Sequence, residues 1–550
     1  MPALSSAILL VLSFPNFNQP WCAWIAFVPW LLLLRTTSSR AAFWWSYLIG
    51  ALFFLGSMWW LIYVTVVGWL VLCAYLALYF GIFGWCVVRH QTSDIRHQGR
   101  FVCGLRSGVR SLIVIPALWV TLEFARSHVL TGMGWNLLAY SQTSWRPLIQ
   151  FADLTGAWGI SFLIVMGNAA IADYISTTVW GRGRARPDGS NRRAGGVGGG
   201  KRTQSVLIRA ACVMILVLIG LGYGAWRISS IVDASSIRVA VAQGNIPQTE
   251  KWDEAFQERI LTQYETLTRE AARTEPDLIV WPETSVPGYF GLDEEITQRV
   301  FALAKSVKAP LLVGAPMGHL DGVEWMMTNS AALVDHRGVI DQRYDKLHLV
   351  PFGEFVPFER TLPWLRRLLP PIGDFDRGHH HTVFHIEQEA DVLGRGARDE
   401  GRGKTGFPTS PVSRPLPPFS VLICFEDVFP ELARRFVQEG ARMLVVITND
   451  AWFGPTAAAY QHAQTSIFRA VELRVPVVRA ANTGWSGCID PAGRILGSVH
   501  DEQGRELFIA GTHACDVPLS YTRTLYERWG DWFAWACLIG ILGWMIARLR

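Results

Sequence analysis

The chain has 550 residues, half of them hydrophobic, with 25 Trp and 29 Phe, which excludes an ordinary soluble enzyme and makes membrane segments the first expectation. A formal charge of +5 is small for this length and unevenly spread, so nucleic acid is excluded as the natural partner and the charge is better read loop by loop. Nine cysteines with no CxxC and no paired spacing argue against a disulfide framework and against a zinc site.

In chain order, apolar stretches fall near 3–14, 21–34, 41–62, 66–88, 111–125, 154–178, 205–226 and 531–547. A membrane-spanning helix needs about 20 apolar residues, so these predict about eight spans, of which the first two are short. No basic leader and no small-residue cleavage pattern precede the PNFN turn at 15–18, so the first stretch is expected to remain as a span. Loop 89–110 carries five arginines, loop 182–209 carries eight basic residues, and the tail ends in Arg548 and Arg550. Loops 15–20 and 63–65 carry none, and 126–150 only Arg126 and Arg146. This alternation puts the basic loops and both termini in the cytoplasm and the polar stretch 227–530 on the opposite, periplasmic side of a bacterial inner membrane. The Gly- and Arg-rich run at 181–202 reads as a flexible cytoplasmic linker with some affinity for anionic lipid. Glu123 and Arg126 share one helix face at the end of the fifth span, either meeting a lipid headgroup or neutralising each other.

From Ser236 short β-rich runs alternate with helical ones. IRVAVAQ, DLIVW, APLLVGAP, SVLICF, RMLVVITND and VPVVRAA read as strands, and FQERILTQYETLTREAAR, EEITQRVFALAKSV and YQHAQTSIFRAVELR as helices, so an α/β domain is expected. Residues 387–418, rich in Gly, Pro and charge, read as a surface insert. The division is thus 1–226 for seven membrane helices, 227–530 for the α/β domain, and 531–550 for the eighth helix and tail.

Within that domain, VLICFEDVFPEL places Cys424 at the end of a buried strand and before a helix-like segment stopped at Gly440. It is either a small buried hydrophobe or a nucleophile whose thiolate the positive end of a helix favours. DLIVWPETSVPG places Glu283 just after a strand, as a turn residue or as a carboxylate able to take a thiol proton. DKLHLVPFGEFVP carries Lys346, a solvated strand end or an ammonium able to hold an oxyanion, and Glu354. A carboxylate, an ammonium and a cysteine at strand ends of one domain form a complete set for acyl transfer.

These three strings resemble the Glu-Lys-Cys triad of the nitrilase superfamily. With the spans, and with QGNIPQ, KWD, TNDAWFG and TGMGWNLLAYSQ, nearly the whole chain resembles the apolipoprotein N-acyltransferase family, the membrane-embedded members of that superfamily. The resemblance implies an α-β-β-α sandwich fixed to a polytopic helical domain. It also implies Glu283 as general base, Lys346 as the cation at the tetrahedral intermediate, Cys424 as nucleophile, and Glu354 as a second carboxylate beside Lys346. Trp252, Phe425 and Glu426 then line or support the site, with Phe425 standing where the family pattern suggests tyrosine. The implied partners are a phospholipid acyl donor, a diacylated apolipoprotein acceptor and the bilayer, with no cofactor and a monomeric enzyme.

Exposed aromatics among Trp252, Phe352, Phe355, Phe358, Trp364, Trp452 and Phe453 are expected to form an apolar approach for the lipids. His379, His380 and His381, with no acidic cluster beside them, read as solvated surface rather than a metal site. Two rival classes remain open at this level: a membrane-tethered amidase of the nitrilase type, and a transporter with a non-catalytic module.

Overall fold

The structure is a computed structural model that describes residues 1–97, 105–180, 198–230, 235–321, 324–356, 361, 375–386, 416–519 and 522–549. Most of the expected insert, the linker at 182–197, and Phe358 and Trp364 lie outside the described residues.

Every apolar stretch forms a helix. The principal helices are Pro2–Leu12, Ala23–Leu34, Ser39–Ser57, Val66–His97, Leu105–His128, Ala157–Ile175, Gly198–Ser229 and Trp532–Leu549. Among the described residues, three are long and apolar enough to cross a membrane, within Val66–Gln91, Ala157–Thr178 and Gln204–Ser229; Pro2–Leu12, Pro20–Leu34 and Trp532–Ala547 are shorter apolar helices. Length sets apart the three shorter helices but not Ser39–Ser57 and Leu105–His128, which have 19 and 24 residues. The 11 residues of the first helix rise about 16 Å, against a hydrocarbon core of about 30 Å.

Packing within this half is aromatic and close. Trp30 stacks on Phe80 at 5.4 Å, Trp119 meets Phe83 edge-on at 5.3 Å, and Ser38 caps its helix by accepting from the Ala41 amide. Gly84 lies so close to Ser46 of the neighbouring helix that a Cβ there would collide with it, as expected of small residues between membrane helices.

The remaining chain builds two sheets. The first has the order β11 (Gly511–Pro518), β1 (Ser236–Gln243), β2 (Leu278–Val280), β3 (Leu311–Asp321), β4 (Glu324–Val334), β5 (Ile340–Asp345). The second runs β10 (Ile495–Ser498), β9 (Gly487–Ile489), β8 (Val477–Ala481), β7 (Met443–Thr448), β6 (Phe419–Ile423). Strands β1–β3 are parallel, as are β6–β8, which requires the helical crossovers seen in the sequence.

The period of two along a strand sorts the core. Val239 and Val241 of β1 face the second sheet and share a core with Val421 and Val445, while Ala240 and Ala242 face helices Gln257–Ala272 and Glu294–Val307 through Ile260, Leu261 and Val300. Helices Pro430–Gln438 and Ala458–Leu473 cover the outside of the second sheet through Ala433, Phe436, Ala463 and Ala470. The result is the expected helix-sheet-sheet-helix sandwich.

Strands β9 and β10 are short, and none of β9 to β11 was read from the sequence. One consequence is a correction: Cys488 on β9 and Cys515 on β11 form a disulfide, with Cα atoms 6.4 Å apart and a sequence separation of 27. Each belongs to a different sheet, so only the sandwich brings them together and their spacing gives no cue.

Candidate active site

Glu283 follows β2 at the end of Trp281-Pro282. Trp281 is buried and donates to Thr268 Oγ1 at 2.8 Å, which fixes where the strand stops. The next turn presses on β3 at Gly314, where a Cβ would strike the backbone of Pro282 and Glu283. The Ser285 amide bonds to the Gly314 carbonyl at 2.7 Å, aiming the Glu283 side chain across the sheet end.

Lys346 follows β5, and its amide donates to the Asn329 carbonyl of β4 at 2.9 Å. Its ammonium is fully buried and lies 2.9 Å from Glu354 Oε1 and 3.3 Å from Glu283 Oε1. Asn329 Nδ2 donates to the same two carboxylates, at 2.7 Å to Glu283 Oε1 and 2.9 Å to Glu354 Oε1. Glu354 Oε2 accepts from the Val350 amide at 2.8 Å. Every negative charge in this group thus has a cation or a donor on it, which a buried carboxylate requires.

Burial alone would raise the Glu283 pKa, but Lys346, Lys251 and the Asn329 amide outweigh it and hold the carboxyl below its usual range. Lys346 experiences the reverse balance: burial disfavours its charge, while Glu354 and Glu283 hold its pKa above that of a free lysine. At neutral pH the site therefore contains a carboxylate able to accept a proton and an ammonium unable to lose one.

Cys424 ends β6 in the left-handed region, with φ 56°. It keeps a partly open surface, yet the protein around it pushes the thiol up, first by burial and then by the Glu283 charge, against a lowering by Lys346. The resting group is thus held toward the thiol form. The residues after Cys424 form a 3-10 turn to Val428, and the α-helix begins only at Pro430, so the end of that α-helix is set six residues past the thiol. The proton must instead be removed by a base, and Glu283 is close enough to bear on the thiol's titration.

Glu426 supports this turn from behind. It accepts from the Ile423, Leu347 and His348 amides at 2.8, 2.7 and 2.9 Å and from the Tyr344 hydroxyl at 2.9 Å, tying the nucleophile turn to the Lys346 segment. Burial moves its pKa up to about 7 even so. Phe425 packs edge-on against Phe429 at 5.1 Å and near His348 at 6.2 Å, so the aromatic plane expected there is used in packing.

Trp252 and Trp452 are 53% and 49% exposed and Phe352 is 48% exposed, as an apolar approach requires. Phe453 turns the other way, onto Trp60 of the membrane half at 4.6 Å. His379, His380 and His381 are all exposed. Glu123 and Arg126 are both buried on the same helix. They also hold the TGMGWNLLAYSQ loop, Glu123 accepting from the Leu138 amide at 2.8 Å and Arg126 donating to the Trp135 carbonyl at 2.7 Å.

Two features escaped the sequence reading. Lys251, beside the exposed Trp252, is buried and donates to the Glu283 carbonyl at 2.9 Å; burial brings its pKa down to about 8, with Glu283 and Cys424 opposing. Its string KWD was visible, but nothing in it marks the lysine as the inward residue. The second is a buried cluster behind the nucleophile. His462 bonds Asp450 through Nδ1 at 2.9 Å and Asp427 through Nε2 at 2.9 Å, and Arg479 lies 3.1 and 3.3 Å from the same two carboxylates.

A family model described as the apolipoprotein N-acyltransferase N-terminal domain matches residues 6–170, and one described as carbon-nitrogen hydrolase matches 238–521. The apolipoprotein N-acyltransferase of Geobacter metallireducens is 38% identical over 550 residues, covering 98% of this chain and 93% of that protein. That of Chlorobaculum tepidum is 30% identical over 574 residues, covering 98% and 94%. Among solved structures, an amidase from Nesterenkonia sp. is 18% identical with a TM-score of 0.36, covering 56% of this chain and 98% of that one.

Proposed function

Because this chain belongs to the apolipoprotein N-acyltransferase family, we propose that it moves an acyl chain from a phospholipid, through a thioester on Cys424, to the free α-amine of the N-terminal diacylglyceryl cysteine of an apolipoprotein. The observation that carries this reading is that the Lys346 ammonium and the Asn329 amide both donate to Glu283 and Glu354, at a site whose charges bear on the Cys424 thiol.

In the first half-reaction Glu283 takes the thiol proton and Cys424 Sγ attacks the ester carbonyl. Lys346 holds the oxyanion, the C–O bond breaks, and the proton passes from Glu283 to the departing glycerol oxygen, releasing lysophospholipid. In the second the acceptor amine attacks the thioester carbonyl, Glu283 receives the amine proton, and Sγ leaves as thiolate and recovers it. Lys251, the second cation in reach of Cys424, stabilises thiolate in both directions.

A lipopeptide carrying a diacylglyceryl cysteine with a free α-amine should therefore discharge the acyl-enzyme. Its N-acetylated analogue, whose nitrogen lone pair is delocalised, should leave the thioester intact, and equal discharge by both would contradict the acceptor role. A tethered amidase is the weaker reading, since the family match extends through the membrane half.

The same reading includes eight spans in the division 1–226, 227–530 and 531–550, with cytoplasmic termini and a periplasmic catalytic domain in the inner membrane of a monomeric enzyme. The alternation of Arg-rich and Arg-poor loops supports that orientation, and so does a disulfide within the catalytic domain, which needs an oxidising compartment. Reporter fusions after Arg193 and after Pro287 should report opposite compartments. Identical signals would exclude this topology.

A further inference from the structure

The catalytic domain touches the membrane half at a buried side chain whose bonding is saturated. Gln461 lies in helix Ala458–Leu473 and is 3% exposed. Its Oε1 accepts from two indoles of the membrane half, Trp60 Nε1 at 3.0 Å and Trp135 Nε1 at 2.9 Å. Its Nε2 donates to two backbone carbonyls of that half, Pro15 at 3.1 Å and Ser57 at 2.9 Å. A glutamine side chain has two donors and two acceptor sites on its amide, and here all four are used on three separate segments of the membrane half. No other group of similar size could hold that seat without leaving a buried donor or acceptor unpaired.

The residue that follows is His462, and its other contacts lead to the nucleophile. His462 Nε2 lies 3.2 Å from the carbonyl oxygen of Cys424 and 2.9 Å from Asp427, three residues further along the same turn. Asp427 is held in turn by Ser466 at 2.6 Å and Arg479 at 3.1 Å, and Asp450 clamps the opposite ring nitrogen at 2.9 Å. All of these side chains are fully buried or nearly so. The turn they grip is the one that holds Cys424 at φ 56°, a conformation that surrounding structure must impose on a non-glycine residue. A parallel path exists through rings: Trp135 packs on His462 at 5.1 Å, and Trp60 packs on Phe453, which ends the turn carrying Asp450.

We propose that Gln461 is a positioning residue through which the membrane half fixes the geometry of the Cys424 turn. The proposal rests on the reading of Cys424 as nucleophile. It gives the fusion of a lipid-embedded half to a hydrolase-like sandwich a second purpose: besides presenting lipid, the membrane half completes the mould in which the thiol meets Glu283.

The test is the alkylation of Cys424 by iodoacetamide in the full-length protein, mapped by peptide mass, because this small electrophile needs no lipid site. Gln461→Met keeps the volume and removes all four hydrogen bonds. It should slow alkylation at neutral pH by about tenfold, and its rate should climb only toward alkaline pH, as for a thiol that has lost its base. In lipid turnover the same variant should lower the maximal acylation rate while leaving the half-saturating phospholipid concentration unchanged. Trp60→Phe with Trp135→Phe removes the two indole donors but keeps the rings, and should slow alkylation several-fold. On the Gln461→Met background those two changes should cost less than a further factor of two, since they act through a partner already lost. Alkylation within twofold of the parent in Gln461→Met, or Trp effects that multiply in full on that background, would overturn the proposal. Should Gln461→Met fail to fold, unchanged alkylation in the tryptophan pair overturns it equally. If Cys424 is not the nucleophile, alkylation can still respond to Gln461 while acyl transfer survives Cys424→Ala, so the two failures are distinguishable.

Discussion

Cys424→Ala, Glu283→Gln and Lys346→Ala are each expected to reduce acyl transfer by roughly four orders of magnitude or more while leaving the protein folded. The three groups act on one event. Without the thiol no thioester forms, and without the carboxylate a thiol whose pKa burial has raised keeps its proton. Without the ammonium the oxyanion develops beside two carboxylates, and those carboxylates lose the cation that holds them 2.9 and 3.3 Å away. Removal of a second member should then cost almost nothing more. Lys346→Ala should also destabilise, because it leaves Glu283 and Glu354 sharing only the Asn329 amide; Glu283→Gln, which keeps the shape and most hydrogen bonds, isolates the chemical effect. Measured single-turnover rates check this, and a double variant far worse than either single would contradict the common event.

The stability difference between the parent and His462→Gln is expected to depend on pH with a definite sign. Burial and Arg479 oppose the His462 charge, but Asp427 and Asp450 prevail and bring its pKa up to about 9, against about 6.5 unfolded. A pKa raised by folding contributes stability that is complete below about pH 6.5 and is lost as pH rises through about 9. The full effect is about 3 kcal/mol, from a shift of roughly two and a half units at about 1.4 kcal/mol each. The Asp427 carboxyl, penalised by burial but held at about 2 chiefly by His462, describes the same interaction from its other partner, so the two do not add. Glu426, Glu472 and Lys251 are also shifted, and they titrate in both proteins, so the comparison largely cancels them. The gap between thermal midpoints of parent and variant should be widest near pH 6 and close toward pH 9.5. A gap independent of pH would mean that His462 is neutral in the folded protein.

The parts legible in sequence are those whose role is written locally. Glu283, Lys346 and Cys424 each end a strand whose apolar run can be seen, and each stands in a string with its own signature, so the site could be assembled before any coordinates. Glu354 and Glu426 were reachable by resemblance, though three of the four donors on Glu426 come from the 344–348 stretch that only the fold brings to it. Lys251, Asn329 and His462 were missed for a shared reason: each looks like an ordinary polar residue until partners 32, 46 and 38 positions away fold against it. The local geometry after Cys424 was not legible in the sequence. Periodicity joined the residues after Cys424 to the following helix, whereas Pro430 starts that helix and a 3-10 turn intervenes. Apolar content likewise placed a helix at every expected stretch, and three of these are long and apolar enough to cross a membrane among the described residues.

The central claim is that this site makes a thioester and waits for an amine, and intact mass after exposure to phospholipid alone tests it most directly. If the bound acyl chain is kept from water, the enzyme should gain the mass of one acyl chain on Cys424, release one equivalent of lysophospholipid as a burst, and stop. Continuous release of fatty acid with no mass retained on Cys424 would mean that water completes the reaction, and the transferase reading would be wrong.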